Sequence, residues 1–497
     1  MEQPTKQKSV HDADDDGRFS DLPDEMVHHI LSFLQMRDLS RLSVVSRRCR
    51  ELCISNPHLD LSNIDLINSD ESSRSRFYSF VDRLISLRCM HRVKTQTFRL
   101  LLSFVGGGGG GGGDEYRVAT WLQHAVNMGV ARVKLELVFD LGKPFDLPLC
   151  VLGCNSLRQL KVDAGNGFIK LPSSDFAVTN LQRLALGPVR IEKGCNVGEL
   201  LSSFKSLKHL RLDKISGIKS MTFTSPSVET LLLTTYDEEL CNISIVQEKL
   251  QDLFIYWSSK SGGKSLTINA PNLKNFYWAG SAVDYYNCMK DLPHLFNVGM
   301  GISFPTQQAS CKHIFDKILH SIQRAKCLTI SESFVEVLRK EGCLPFLFDN
   351  LEYLTVSRTS RGDQVLPLCS LLRGTINLKH LTVSCLSTRG FANVTNSVPS
   401  GEFSFKMGYW QSQNFMFTRQ LKKVTMELFD REDEVELIKY LLKNAEELEV
   451  MEILYTSPVS SDLITEIRKY KKPSTKLLLC STILYNKMRC VRPDHDI

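Results

Sequence analysis

An apolar residue, two variable ones, a second apolar residue, one variable and a third apolar residue recur along most of this chain. The template reads Leu157-Leu160-Val162, Leu181-Leu184-Leu186, Leu207-Leu210-Leu212, Val228-Leu231-Leu233, Leu250-Leu253-Ile255, Leu273-Phe276-Trp278 and Leu295-Val298-Met300. The starts of these seven are 24, 26, 21, 22, 23 and 22 residues apart. A degenerate Ala325-Leu328-Ile330 follows, then Leu351-Leu354-Val356 and Leu378-Leu381-Val383, and Val130-Val133-Leu135 begins the series. A unit of this length holds one short strand, whose alternate residues point inward, and a return segment whose apolar residues close the other side. One unit cannot bury its own face, so the units must stack into a curved parallel sheet. An ordinary α/β domain, with strands and helices in varied order, would not keep the interval.

The template lapses between Leu386 and Arg419 and returns as Leu421-Val424-Met426 and Leu448-Met451-Ile453. Between those two strands the sequence predicts a helix. It has Asp430, Glu432, Asp433 and Glu434 at its start, Val435, Ile438, Leu441 and Leu442 at helical spacing, and Lys443-Asn444 at its end.

Ahead of the repeats, residues 21–56 read as two or three short helices. Asp21 is placed to cap a helix that Pro23 opens, and Asp24 and Glu25 suit its positive end. Met26, Val27, Ile30, Leu31, Phe33 and Leu34 make an apolar face wider than so small a segment can bury within itself. Leu39, Leu42 and Val45 repeat the spacing, and Ser46 is placed to cap a third helix. Part of this face calls for a partner.

This segment resembles an F-box, the helical module by which substrate receptors dock on the Skp-type adaptor of a cullin-RING ubiquitin ligase. The likeness covers Leu22-Pro23, Ile30-Leu31, Phe33-Leu34, Leu42, Val44-Val45 and Ser46-Arg47-Arg48. It implies Leu22, Pro23, Ile30, Leu31, Leu34, Leu42 and Val45 as adaptor-binding residues, with the cullin reached through the adaptor. A tryptophan usually follows the paired basic residues, and Cys49 stands there, offering far less contact area. The repeats resemble those of plant leucine-rich-repeat F-box proteins, most closely at residues 121–126 and 145–148. Residues 421–449 resemble the FBD domain that ends many of them, for which a capping role is expected. The expected fold is therefore α/β: a three-helix F-box, an irregular leucine-rich-repeat solenoid with a curved parallel β-sheet, and an FBD-like C-terminal cap. The boundaries read are an acidic tail over 1–17, the F-box over 18–62, a linker over 63–120 with a glycine run at 106–113, repeats over 121–417 and the FBD-like region over 418–497.

In such repeats the variable residues flanking the second apolar position face outward on the concave side. They place Lys161, Arg183, His209 and Arg211, then Phe254, Tyr256 and Tyr277, and finally Asn297, Tyr353 and His380, on one surface. Basic residues beside aromatics suit an acidic or phosphorylated protein partner. The function this implies is a non-enzymatic substrate receptor of the ligase. A scaffold or decoy without productive adaptor binding, which Cys49 keeps open, and a ligand-sensing repeat receptor are the alternatives.

Composition closes other routes. A net charge of +6 on 497 residues is too mild to indicate nucleic acid. No apolar run nears the roughly 18 residues that span a bilayer, and the polar start has no signal-peptide core, so a cytoplasmic or nuclear location without membrane attachment is expected. The 15 cysteines lack paired metal-site spacing and are expected as thiols, with no metal or cofactor. Gly106 to Gly113 lack the Gly-Lys-Ser ending of a phosphate loop, and Gly263-Lys264-Ser265 lacks its first glycine. Asp12, Asp14 and Asp16 copy a calcium loop whose closing glutamate is replaced by Pro23.

Overall fold

A computed structural model describes residues 22–62, 71–104, 111–171, 180–191, 198, 201, 203–288, 292–303, 311–331, 333–335, 337, 348–357, 365–384, 407–413, 415–428, 432–455 and 461–482. They form two compact units divided after Pro188.

The first unit opens with three short helices, Asp24–Leu31, Met36–Leu42 and Arg47–Ser55. Parallel strands His58–Ser62, Thr97–Ser103, Arg132–Phe139, Gln159–Gly165 and Arg183–Gly187 then pair in chain order. Their inward residues hold one register, Leu59 beside Phe98, then Val133, Leu160 and Leu184, all buried. The second apolar position of the template is thus one continuous rung, as a stacked repeat requires.

The linker expected over 63–120 is corrected here. Its described part holds the helix Glu71–Met90, the strand Thr97–Ser103 and the start of the helix Gly111–Asn127. The two helices join through Asp82, which accepts from Trp121 Nε1 and from Arg117 Nη1, each at 2.7 Å. The template escaped notice in these units because its first apolar position is polar, Asn56 in one and Thr95 in the next, both buried.

In the second unit eleven described strands continue the pattern: His209–Ile215, Thr230–Thr235, Asp252–Trp257, Asn275–Ser281, Asn297–Ser303, Cys327–Ser331, Tyr353–Ser357, His380–Ser384, Lys423–Leu428, Val450–Tyr455 and Lys476–Ser481. Neighbours are parallel, and the template residues Leu210, Leu231, Leu253, Phe276, Val298, Leu328, Leu354, Leu381, Val424 and Met451 stand in one register. The return side changes along this unit. Where starts are 21 to 23 residues apart it is a second parallel sheet of Ser220–Thr224, Asn242–Val246, Ser265–Asn269 and Tyr285–Cys288. Where spacing lengthens, helices Cys311–Ile322, Val365–Arg373, Glu432–Asn444 and Ser461–Arg468 replace the strands. A helix rises about 1.5 Å per residue against about 3.3 Å for a strand, so crossing the same distance takes more chain. The helix expected near residues 430–444 is present as Glu432–Asn444, while Asp430 lies outside the described residues, as does most of the 386–419 insertion.

Candidate docking and recognition surfaces

The three short helices close around Val27, Leu31, Leu39 and Leu52, with Leu22, Leu34, Leu42 and Cys53 packed against them. Ser46 caps the third helix as expected, its Oγ accepting from Cys49 N at 3.0 Å. The first helix starts one residue later than its sequence implies. Pro23 is the residue before it, extended at φ −55° and ψ 144°, and its carbonyl accepts from the amides of Met26 and Val27. Asp21 lies outside the described residues. Arg48 ties the ends together, donating from Nη2 to the Leu22 carbonyl at 3.0 Å and to Asp24 Oδ1 at 3.3 Å.

Burial divides the seven expected adaptor-binding residues. Leu31 is only 1% exposed and is a core residue, so it supports the surface and does not belong to it. Leu22, Leu34 and Leu42 are half-buried on the same core. Pro23 is exposed, Ile30 is 42% exposed and Val45 is 73% exposed. Three further apolar side chains stand out beside them: Met26, Phe33 at 75% and Val44 at 76%. Helical spacing put Met26, Ile30, Leu31, Phe33, Leu34, Leu42 and Val45 on apolar faces, but it could not say which side met the core. Cys49, at the usual tryptophan position, is buried. Burial pushes the Cys53 thiol up to about 11, and its Sγ donates to the Leu39 carbonyl at 3.4 Å. Among the described residues no three His, Cys, Asp or Glu side chains are grouped to hold a metal ion. No described helix is long and apolar enough to cross a membrane.

The expected recognition residues all lie on the outward side of their strands, half-buried apart from the exposed Arg183 and Tyr353. Lys161 and Arg183 belong to the first unit, and His209, Arg211, Phe254, Tyr256 and Tyr277 to the second. Within the second unit Phe254 and Tyr277 stack with ring centres 4.7 Å apart and planes 1° apart, as their register requires. Tyr256 leans on Tyr236 at 5.3 Å. Tyr353 stacks on His380 at 4.5 Å, and burial followed by the charge of Lys423 lowers the His380 pKa. Arg211 is paired within its own strand, its Nε donating to Asp213 Oδ2 at 2.6 Å. On the first unit, sequence reasoning missed Arg99, Arg132 and Lys134, which share the outward side with Lys161 and Arg183. Arg99 was missed because its strand was read as linker.

Residues 19–60 match the F-box domain model, and residues 118–287 match the leucine-rich-repeat model described from the FBD-associated F-box protein At5g56370. The chain carries an F-box and plant-type leucine-rich repeats. This F-box/leucine-rich-repeat protein is 25% identical over 460 residues to the F-box/FBD/LRR-repeat protein At4g03220 of Arabidopsis thaliana, with 87% of each chain covered. It is 27% identical over 369 residues to the F-box/LRR-repeat protein At4g14103 of the same plant, covering 73% of this chain and 90% of that one. Three helices with an apolar surface left outside their own core, joined to a repeat sheet, give the F-box/leucine-rich-repeat protein the architecture of a substrate adaptor.

Proposed function

We propose that this protein is the substrate-recognition subunit of an SCF-type cullin-RING ubiquitin ligase. The observation that carries the reading is the exposed set Met26, Ile30, Phe33, Val44 and Val45 on a three-helix unit whose own core is already filled. Covering such side chains is worth about 1.5–3 kcal/mol each, which is ample for a stable adaptor interface. The outward faces of the repeat strands hold the target protein. Ubiquitin transfer is then done by other subunits, and this chain acts by proximity, raising the effective concentration of target lysines near the conjugating enzyme. The cytosol or nucleus suits that role. The test is co-purification with a recombinant Skp-type adaptor. Wild type is expected to be retained and the Ile30→Asp, Val45→Asp double variant lost, and retention of both would refute the reading.

A further inference from the structure

We propose that the outward face of the first unit's strands is the binding site for a carboxylate-rich segment of the partner protein. This rests on the receptor reading and adds the chemistry of what is received. In the strand register Arg99 stands opposite Lys134, and Lys134 opposite Lys161, so three cations occupy consecutive places in one row. Arg132 and Arg183 stand in the row beside it, each opposite Gln159 across its strand pair. Like charges directly opposite one another on a sheet face oppose folding. The carboxylates on the same face offset this only in part. Asp60 lies 3.5 Å from Arg99 Nη1, while Glu136 lies 4.0 Å from Arg99 Nη2 and 2.5 Å from Lys134 Nζ. Asp163 turns one oxygen to the amide of Gly165 at 2.8 Å. Cations therefore outnumber carboxylates on this face. The field is felt at His58, whose pKa is lowered by burial first and by Arg132 next.

The arrangement selects among anions. A lone phosphate needs donors converging on one point, whereas these cations are spread across four adjacent strands at the strand spacing of about 4.8 Å. An extended run of acidic side chains meets such an array one charge at a time. In the second unit the corresponding row is different, running Arg211, Leu232, Phe254, Tyr277, Gly299 and Thr329 in register, with one cation in place of three consecutive ones.

The experiment uses the full chain bound to its adaptor and a fluorescein-labelled oligoglutamate peptide, read by polarisation. Wild type is expected to bind with an affinity that falls as salt rises. The Lys134→Glu, Lys161→Glu variant is expected to weaken binding by about tenfold or more, and a Lys274→Glu, Lys379→Glu control in the second unit to leave it unchanged. Adaptor retention by both variants separates this test from the receptor reading. The proposal is overturned by absent binding, by equal binding to the reversed variant, by preference for a singly phosphorylated peptide of otherwise neutral sequence, or by tighter binding of duplex DNA.

Discussion

Arg88 donates from Nη1 to the backbone carbonyl of Asn56 at 2.7 Å, with the carbonyl of Ile54 on the same nitrogen at 2.6 Å. Its Nη2 donates to Thr95 Oγ1 at 3.1 Å. One buried guanidinium, 1% exposed, thus joins the end of the third F-box helix to the first positions of two repeat units. Burial without a carboxylate partner lowers its pKa to about 10, so it stays charged at neutral pH. Within the first unit this fixes the docking helices to the strands that follow them, and a receptor acting by proximity depends on such fixed geometry.

Arg88→Met leaves those oxygens without their donor in a buried place. The loss is expected to be about 2–4 kcal/mol in urea unfolding, with Arg88→Lys recovering part of it. A loss below about 0.5 kcal/mol would mean that water replaces the guanidinium.

The F-box residues separate into two kinds by experiment. Leu31→Ala is expected to cost about 2–5 kcal/mol of stability, because it opens a cavity among Val27, Leu39 and Leu52. Phe33→Ser, on an exposed side chain, is expected to change stability by less than about 0.5 kcal/mol while weakening adaptor binding in a titration. Equal effects of the two on stability would contradict the burial assigned here.

Gly280 has φ +110°, and a Cβ there would meet the Trp257 carbonyl of the neighbouring strand. Gly280→Ala is expected to destabilise the protein by about 1–3 kcal/mol from backbone strain alone, with the clash adding to it. An unchanged melting temperature would show that the strand has another course.

Both His58 and His380 have pKa values below the ordinary 6.5, burial being the first cause in each. The folded protein thus prefers them neutral, and the unfolded chain takes up protons first as pH falls. Their contribution to stability is full above about pH 6.5 and declines below it through the lowered folded pKa. Urea midpoints measured from pH 7.5 to 5.5 should fall, and by less in a His58→Gln, His380→Gln variant. A midpoint that rises on acidification would reverse the assigned sign.

The apolar template and its interval determined the parallel strands, their order and which residues point inward, from Leu160 through Met451. This was legible because strand alternation and stacking leave an apolar residue one place to go. The F-box was legible for the same kind of reason, through its helical spacing and the Ser46 cap. Tertiary structure alone decided that Leu31 turns inward while Phe33 and Val44 turn out, since helical spacing marks a face but not its neighbour. It also decided that the stretch read as linker holds the helix Glu71–Met90 and a strand of the sheet, Thr97–Ser103. Asn56 and Thr95 break the apolar pattern there: Arg88 donates to the Asn56 backbone carbonyl and to the Thr95 hydroxyl, and the Asn56 side-chain Oδ1 accepts from His58 N, contacts that no apolar template marks.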